Sequence, residues 1–369
     1  DLSILGFGCM RLPMAADRRI DEAAASSMLR YAIDHGVNYV DTAYPYHDGE
    51  SEPFVGRALM NGYRERVHLA TKLPCWQVSA REDMDRYLDE QLSRLRTDRI
   101  DFYLAHGLTA GTWERLQPLG LADFFDDAIA DGRIRYAGFS FHDGIDAFRA
   151  IVDGYDWTVC QIQYNFMDEE YQAGTEGLRY AAERDLGVIV MEPIRGGMLA
   201  TDIPSIRAIW NRDPVRRSLA ERALRWVWNH PDVTVVLSGM STMEQVTENV
   251  SSAYAGAPAS IGAEELGLYD DVKAEYRRRI RIPCTGCGYC QPCPSGVNIP
   301  ECFEAYNMGC IYDAPEASKV SYTWTTGGLL DGIPSCASLC QACGACEEKC
   351  PQRIAIRDRL KEVTEYFGR

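Results

Sequence analysis

Short apolar segments alternate with longer amphipathic segments from the beginning of the chain to about residue 260. Each apolar segment holds four to seven residues, which is typical of strands buried on both faces of a parallel sheet. We therefore predict eight strands, over Leu5–Met10, Tyr39–Thr42, Val67–Leu73, Ile100–Ala105, Ile134–Phe139, Val159–Gln163, Val188–Ile194 and Val233–Leu237.

The segments between these strands have the period of helices. In Glu82–Arg96 and in Val215–Trp228, apolar residues recur at steps of three and four. Eight strand-and-helix units in this length favour an α/β fold, a (β/α)8 TIM-type barrel, over the alternative of an open doubly wound sheet. The open sheet is weakened further because no GxGxxG motif follows the first strand. We assign residues 1–265 to the barrel and residues 266–369 to a second, smaller domain.

The net charge of −16 excludes some classes of partner. A surface this acidic repels phosphate groups, so we expect neither nucleic-acid binding nor attachment to a membrane of anionic lipid. The sequence has no run of about 18 apolar residues that could span a membrane, and no signal segment at its start. We expect a cytoplasmic protein. Because the chain begins at Asp1 instead of Met, we also expect that N-terminal residues precede it.

Polar residues follow the predicted strands at the end where (β/α)8 barrels carry their active sites. Asp41, Tyr46, Lys72 and His106 come from three neighbouring strands. A lysine beside a tyrosine favours the phenolate, and a buried carboxylate keeps the lysine charged, so the tyrosine becomes a general acid tuned toward neutrality. A histidine beside it can donate a hydrogen bond to a carbonyl oxygen. The alternative is purely structural, with a core ion pair and a histidine that only packs or caps. Other polar residues at strand ends are Ser140, Gln163, Glu192 and Ser238.

These residues lie in segments that resemble one enzyme family. The string Asp41-Thr-Ala-Tyr-Pro-Tyr46 resembles the aldo-keto reductase signature, and Gly36–Asp41, Ala70–Lys72 and Asp101–His106 are similar to the same family. The resemblance extends from about residue 5 to residue 253. It implies an enzyme in which Tyr46 donates the proton, Lys72 and Asp41 tune the pKa of Tyr46, and His106 orients the substrate carbonyl.

The resemblance also implies a nicotinamide nucleotide as cofactor. It matches Ser140 and Gln163 to positions that bind the carboxamide, although hydrogen bonding between strand ends is an alternative role for both. Gly196 and Gly197 match positions that let the pyrophosphate approach closely. The positions that match the adenosine end are Ser238, Gly239, Ser241, Gln245 and Asn249.

Two residues depart from the family pattern at this site. Phe141 stands where an asparagine usually follows the serine of the fifth strand, and Met191 stands where an aromatic ring usually stacks on the nicotinamide. The adenosine-end segment contains no Lys or Arg and contains Glu244 and Glu248. Because the extra phosphate of NADPH needs cationic partners, we expect NADH to be favoured, unless Arg195 reaches across.

Eleven of the 14 cysteines lie between residues 284 and 350. They form two runs, and the second is C-x2-C-x2-C-x3-C-P, the bacterial ferredoxin pattern. A disulfide framework is a weaker alternative, because these spacings suit a metal cluster and the chain is not a small secreted domain. Zinc is another alternative, but zinc sites use paired CxxC knuckles instead of three-cysteine loops.

These two runs provide eight ligands, enough for two 4Fe-4S clusters. Three cysteines in one tight loop bind one cluster, and the fourth, followed by proline, ligates the other. One cluster then takes Cys340, Cys343, Cys346 and Cys293, and the other takes Cys284, Cys287, Cys290 and Cys350. Because the first run has two residues instead of three before its Cys-Pro pair, a triplet of Cys287, Cys290 and Cys293 stays open.

The rest of the C-terminal domain has no cluster motif. The segment Ile299–Ser335 is longer than a compact ferredoxin needs. We expect it either to cover the barrel mouth or to pack the two domains together. The tail Ile356–Phe367 is predicted to be an amphipathic helix. The cysteines outside the two runs are expected to be packing residues, at Cys302, Cys310 and Cys336.

Two functions follow from this sequence. The first is an oxidoreductase that uses NAD(P)H to reduce a small-molecule carbonyl compound or, in reverse, to oxidise an alcohol. The second is an electron-transfer or regulatory module whose clusters pass single electrons to a redox partner protein. The set Asp41, Tyr46, Lys72 and His106 favours the first, because an electron-transfer module does not need it.

Overall fold

The eight apolar segments form a closed parallel barrel in the computed structural model, which describes residues 1–284, 286, 288–328, 333–350 and 352–368. Each strand pairs in parallel with the next, and the eighth pairs with the first. The barrel prediction is confirmed, and the open sheet is wrong. The strands are β1 (Leu5–Gly8), β2 (Tyr39–Asp41), β3 (His68–Leu73), β4 (Ile100–Leu108), β5 (Ile134–Phe141), β6 (Val159–Gln163), β7 (Gly187–Met191) and β8 (Val233–Gly239).

Two barrel helices have bounds predicted from the sequence, and the first, Arg81–Leu95, begins one residue before its predicted start. The second, Leu219–Trp228, begins later than predicted, because Ser218 caps it by accepting a hydrogen bond from the backbone N–H of Glu221. Residues 215–217 therefore precede this helix. The barrel helices are α1 (Glu22–Asp34), α2 (Ser51–Ala58), α3 (Arg81–Leu95), α4 (Ala110–Leu116), α5 (Leu121–Ala130), α6 (Ile145–Val152), α7 (Gly174–Ala182), α9 (Leu219–Trp228) and α10 (Met243–Tyr254).

The barrel interior is filled by side chains and leaves no room at two glycines. A Cβ on Gly6 of β1 would lie 2.7 Å from the Leu237 side chain and 3.2 Å from Tyr39. A Cβ on Gly138 of β5 would lie 2.5 Å from the Val159 side chain. These glycines allow larger neighbours to pack across the barrel, so the floor beneath the strand ends is solid.

The chain divides into two compact units. The first comprises residues 1–196 and 217–262, and the second comprises residues 197–216 and 263–369. The predicted boundary between residues 265 and 266 falls inside a helix, Ala263–Arg278, and the assignment of two domains stays a prediction. The helices of the second unit are α8 (Pro204–Trp210), α11 (Ala263–Arg278), α12 (Ile299–Tyr312), α13 (Pro315–Thr326), α14 (Ala345–Glu348) and α15 (Ile356–Phe367).

The second unit has its own small apolar core. Phe303 of α12, Tyr322 of α13, and Leu360 and Phe367 of α15 are buried in it, and the Tyr322 and Phe367 rings stack at 4.3 Å. Six cysteines pack against this core: Cys284, Cys290, Cys293, Cys336, Cys340 and Cys350. No disulfide joins two cysteines within the described part of the chain. No helix among the described residues is long and apolar enough to cross a membrane.

Candidate active site and cluster ligands

Strand geometry brings the predicted site residues to one end of the barrel. Side chains two residues apart on a strand point to the same face, so a residue two positions after an inward-pointing side chain also points into the barrel. The inner core includes Tyr39, Ala70 and Leu104, and Asp41, Lys72 and His106 each come two residues later. His106, Ser140 and Ser238 lie within β4, β5 and β8 and not after them, because these strands extend further than the apolar segments.

Asp41 and Lys72 form a buried ion pair between neighbouring strands. The Lys72 Nζ atom lies 2.7 and 2.8 Å from the two Asp41 carboxylate oxygens and 2.8 Å from the Thr42 carbonyl oxygen. An ammonium group has three hydrogens, so these acceptors can take all of them. Burial lowers the pKa of Lys72, but the charges of Asp41 and Tyr46 outweigh it and raise that pKa overall. Lys72 is therefore a fixed cation at the barrel end.

Tyr46 lies beside this cation, just after β2. It begins a short 3-10 turn, Tyr46–Gly49, in which His47 has a φ of 53° and accepts a hydrogen bond at Nε2 from the Leu12 backbone N–H. The Lys72 Nζ atom is 5.2 Å from the centre of the Tyr46 ring. Burial raises the pKa of Tyr46, and the charge of Lys72 lowers it by less, so the net direction is upward. The expected tuning toward neutrality is thus not met in this structure, because desolvation exceeds the effect of the lysine.

His106 completes the group on the next strand. Its ring centre is 6.2 Å from that of Tyr46 and 5.2 Å from that of Trp76. Burial, followed by the positive charge of Lys72, lowers the pKa of His106 well below its ordinary value. The Nδ1 atom is buried and has no hydrogen-bond partner among the described residues. The imidazole is therefore neutral at physiological pH and can donate only one hydrogen bond at a time.

Ser140 and Gln163 lie at the corresponding ends of the next two strands, β5 and β6. The Ser140 hydroxyl oxygen accepts a hydrogen bond of 2.8 Å from the Gly107 backbone N–H, and Gln163 Nε2 donates one of 2.9 Å to Asp168. Phe141, which replaces the asparagine of the family pattern, is buried against Phe148. An apolar ring there supplies no hydrogen bond to a carboxamide.

The residues matched to the adenosine end largely bind one another. Ser238 of β8 and Asn249 of α10 are both buried, and Asn249 Nδ2 donates to the Ser238 hydroxyl at 3.0 Å. Gln245 Oε1 accepts a hydrogen bond of 2.7 Å from the Ser241 backbone N–H. These contacts fix the shape of the turn from β8 to α10 and leave the roles of these residues toward a nucleotide as predictions.

An arginine that sequence reasoning missed lies against this turn. The Arg11 side chain passes 3.3 Å from where a Cβ on Gly239 would be, and its NH2 atom lies 3.0 Å from that position on Gly196. Arg11 also forms an ion pair of 3.9 Å with Glu192, just after β7. A cation from the β1 loop thus reaches the segment that itself lacks Lys and Arg. Arg11 comes close to this segment only because β8 pairs with β1, a contact that the sequence does not show.

The segment after β7 holds Arg195 and the two glycines matched to the pyrophosphate, Gly196 and Gly197, whose role toward a nucleotide stays a prediction. Arg195 NH2 lies 3.4 Å from Asp168 Oδ1, so this guanidinium is held at the end of β6. Gly196 and Gly197 have positive φ values of 64° and 99°, which L-residues rarely adopt. Gly196 belongs to the first unit, whereas Gly197 is the first residue of the second.

The cysteines of the second unit gather into two groups that each mix both runs. Cys284 and Cys290 of the first run line one cavity together with Cys350 of the second. In the other group, burial raises the pKa of the Cys346 thiol, and the charges of Cys293 and Cys340 raise it further. Each group thus draws on both runs, and which cysteines share a cluster stays a prediction.

The remaining cysteines of the two runs are Cys287 and Cys343. Cys287 lies outside the described residues, so the choice of triplet in the first run stays a prediction. Cys343 is exposed. No group of three or more His, Cys, Asp or Glu side chains within the described ranges is close enough to hold a single metal ion. A four-iron cluster spaces its thiolates more widely than one ion does.

Cys302 and Cys310, outside the two runs, differ in their surroundings. Cys302 is buried and its thiol donates to the Ser335 carbonyl oxygen at 3.8 Å, whereas Cys310 is half-buried. Cys336, half-buried, lies 3.3 Å from the Ser338 hydroxyl. These contacts agree with packing roles.

Comparison with known proteins identifies both parts of the chain. The aldo/keto reductase family matches residues 4–255, and the 4Fe-4S dicluster domain matches residues 283–356. Methylglyoxal reductase YeaE of Escherichia coli is 27% identical over 282 residues, covering 73% of this chain and 90% of that protein.

Two solved structures are similar to the barrel part. The holo form of aldo-keto reductase AKR11C1 from Bacillus halodurans is 27% identical, covers 73% of this chain and 92% of its own, and superposes with a TM-score of 0.62. An aldo/keto reductase from Klebsiella pneumoniae in complex with NADP and acetate is 25% identical, with coverages of 74% and 92% and a TM-score of 0.60.

Proposed function

The chain belongs to the aldo/keto reductase family, and from this premise we propose that it reduces an aldehyde or ketone with NAD(P)H, Tyr46 donating the proton. The observation that carries this proposal is the buried Asp41–Lys72 pair beside Tyr46 and His106 at the strand ends. A buried ion pair is a costly way to stabilise a core, since apolar residues of similar volume often serve as well. A role in proton transfer explains why the pair is there.

The protonation states of the site suit carbonyl reduction. The raised pKa of Tyr46 keeps the phenol protonated at neutral pH, so it begins the reaction as an acid. The Lys72 cation stabilises the phenolate that remains after the proton has left. Neutral His106 donates a hydrogen bond to the carbonyl oxygen and orients it toward Tyr46.

The nucleotide supplies a hydride when it is bound. Ser140 and Gln163 are the residues we assign to its carboxamide, and Gly196, with its positive φ, allows the pyrophosphate to approach the backbone. The Ser140 hydroxyl oxygen accepts from Gly107, which leaves its hydrogen free to donate. We keep the expectation that NADH is used at least as well as NADPH. Arg195 is engaged with Asp168, and Arg11, which pairs with Glu192, lies against the adenosine-end turn.

We assign two 4Fe-4S clusters with the crossed ligand sets to the second unit. Two observations support this assignment. Cys284, Cys290 and Cys350 line one cavity, and the Cys346 thiol is close enough to Cys293 for the charge of Cys293 to raise its pKa. Bound clusters would supply one-electron redox chemistry or hold the fold together. The presence of a dicluster domain favours a second candidate function, in which the clusters pass single electrons to a partner protein.

One experiment separates the two functions. Anaerobically purified protein is mixed with NADH or NADPH and a panel of aldehydes, ketones and alcohols, and absorbance at the reduced nicotinamide band is followed. Carbonyl-dependent oxidation of either coenzyme supports the reductase. If no substrate in the panel is turned over and neither coenzyme binds, the reductase proposal is wrong, and reduction of the clusters by an artificial one-electron donor then tests the second function.

A further inference from the structure

The two groups of thiols in the second unit have different surroundings. Cys284, Cys290 and Cys350 line a cavity whose other walls are mostly apolar, with Gln352 as a polar member. The apolar walls come from the beginning of α12 and from around the beginning of α15: Ile299, Pro300, Phe303, Ile354 and Ile356. All of these except Pro300 are buried. A cluster bound here is surrounded by side chains that solvate charge poorly.

The second run meets solvent along one loop. Gln341, Ala342 and Cys343 are three consecutive exposed residues. The Ala342 backbone N–H donates a hydrogen bond of 3.4 Å to Cys340 Sγ, whereas Cys346, which follows in α14, is buried. This site therefore combines access for water with an N–H group directed at a ligand sulfur.

A cation lies against the same loop. The Arg357 guanidinium carbon is 3.8 Å from the position that a Cβ on Gly344 would occupy, and Gly344 directly follows Cys343. Arg357 is held there by Glu347, whose carboxylate accepts hydrogen bonds of 2.9 Å from the Arg357 backbone N–H and 2.7 Å from its NH2 group. One charge of each sign thus lies beside the second run, with the guanidinium against the ligand loop.

These surroundings act in opposite directions on the reduction of a cluster. Reduction adds one electron to a group that its four thiolate ligands already make negative. An apolar environment destabilises the more highly charged reduced state and so lowers the reduction potential. Water, N–H donors to the sulfurs and a nearby cation stabilise the reduced state and raise the potential.

We propose that the two clusters have unequal reduction potentials: the cluster assigned to Cys293, Cys340, Cys343 and Cys346 is the easier to reduce, and Arg357 contributes to this. The inference rests on the cluster ligands assigned in the proposed function. The step is the transfer of one electron from a one-electron donor, such as dithionite or a reduced electron-carrier protein, and no bond or proton is exchanged. The first electron that the chain accepts then lies beside the exposed loop, where a partner protein can approach it.

A redox titration followed by electron paramagnetic resonance tests this inference. Anaerobic, iron-loaded, full-length protein is reduced stepwise with dithionite, and we expect two one-electron steps at different potentials. In Arg357→Gln, the equilibrium constant for the easier reduction should fall about three- to tenfold, and tenfold is about 59 mV for one electron. The harder reduction should change by less than about twofold, because water screens a half-exposed charge over longer distances.

Three further variants show whether charge is the cause. Arg357→Lys keeps the cation, so both steps should stay within about twofold of the wild type. Glu347→Gln removes the opposite charge and should make the easier reduction easier still; it also serves if Arg357→Gln does not retain its iron. Arg359→Gln changes the same residue type two positions along α15, where Glu362 pairs with the guanidinium, and should shift neither step.

The failures of this inference and of the proposed function differ. Coincident steps in the wild-type protein would overturn the inference. In Arg357→Gln, an unchanged easier step, a shift confined to the harder step or equal shifts of both would overturn it as well. The reductase proposal stands in each of these cases, because coenzyme oxidation tests it separately. Zinc, or about four irons per wild-type chain, would overturn the cluster assignment and this inference together.

Discussion

In the barrel, Asp41 and Lys72 lie on adjacent strands that are hydrogen-bonded along their length, above an interior filled by large side chains. In the second unit, Cys340 and Cys350 lie outside the helices, in segments with little regular structure, and pack only on the edge of a small core. The barrel therefore holds its reactive groups through backbone pairing and close packing. The second unit holds its thiols mainly through loops.

This contrast predicts how each site depends on its ligand. A site on paired strands is formed before any nucleotide binds, because the fold already orients its side chains. A site on loops gains much of its order from metal–thiolate bonds, and the free energy of cluster binding becomes folding free energy. Removing a ligand should therefore damage the second unit far more than the barrel.

The largest expected effect is the loss of a cluster. Cys343→Ala should reduce the iron content from about eight to about four atoms per chain, since one cluster loses a ligand. Hydrogen exchange should then speed up in α12 and α15 and stay unchanged in the barrel strands. Iron assay and hydrogen-exchange mass spectrometry on anaerobically prepared protein measure both.

The matched control for this change is Cys310→Ala, which alters a half-buried cysteine outside both runs and should keep all the iron. Zinc in the wild-type protein, or about four irons, would overturn the two-cluster assignment. If hydrogen exchange in the barrel strands sped up as much as in α12 and α15, the second unit would not depend on its ligand more than the barrel does.

The next effect concerns the acid in the barrel. Tyr46→Phe should lower kcat for carbonyl reduction by at least about 10²-fold, the scale of losing a general acid, because no other group replaces the phenol. The dissociation constant for NADH should stay within about twofold. Stopped-flow or steady-state kinetics and coenzyme titration check the two parts.

Tyr44→Phe is the control, since the Tyr44 hydroxyl faces Glu90 at 3.4 Å and not Lys72. A fully active Tyr46→Phe protein would show that the Asp41–Lys72 pair is structural. In the wild type, kcat/KM should be level between about pH 7 and 9. His106, with its lowered pKa, charges only in more acidic solution, and Tyr46, with its raised pKa, ionises only in more basic solution.

A smaller effect tests the packing beneath the site. Gly6→Ala should reduce the free energy of unfolding of the barrel by about 1–3 kcal/mol, because the new Cβ would overlap the Leu237 side chain. Gly111→Ala, in a helix where a Cβ meets no neighbour within 4 Å, should not destabilise the barrel. Urea unfolding followed by tryptophan fluorescence compares the two variants. Equal free energies of unfolding would show that the barrel interior can move to accommodate the added methyl group.

The smallest expected effect is coenzyme choice. NADH should have a kcat/KM at least equal to that of NADPH, because the adenosine-end segment carries Glu244 and Glu248 and no cation of its own. If NADPH is preferred by tenfold or more, about 1.4 kcal/mol, Arg11 is the first residue to test. In that case Arg11→Ala should remove the preference.

Much of this protein followed from local pattern. The alternation of apolar strands and amphipathic helices determined the barrel, because burial on both faces requires continuous apolar runs. Asp41, Tyr46, Lys72 and His106 lie at or near the ends of three successive strands, so the topology alone brought them together. The cysteine spacing likewise predicted the dicluster domain, since three thiolates in one tight loop can bind three irons of a 4Fe-4S cluster.

Other features depended on contacts between residues far apart in the chain. Arg11 reaches Gly239 only because β8 closes onto β1, and Asp168 meets Arg195 only because β6 and β7 are neighbours. The net direction of the Tyr46 pKa depended on how deeply the phenol is buried, and burial is a property of the whole fold. Sequence pattern states which residues are near a strand end, but charge and orientation there are decided by neighbours that only the tertiary structure brings within a few ångströms.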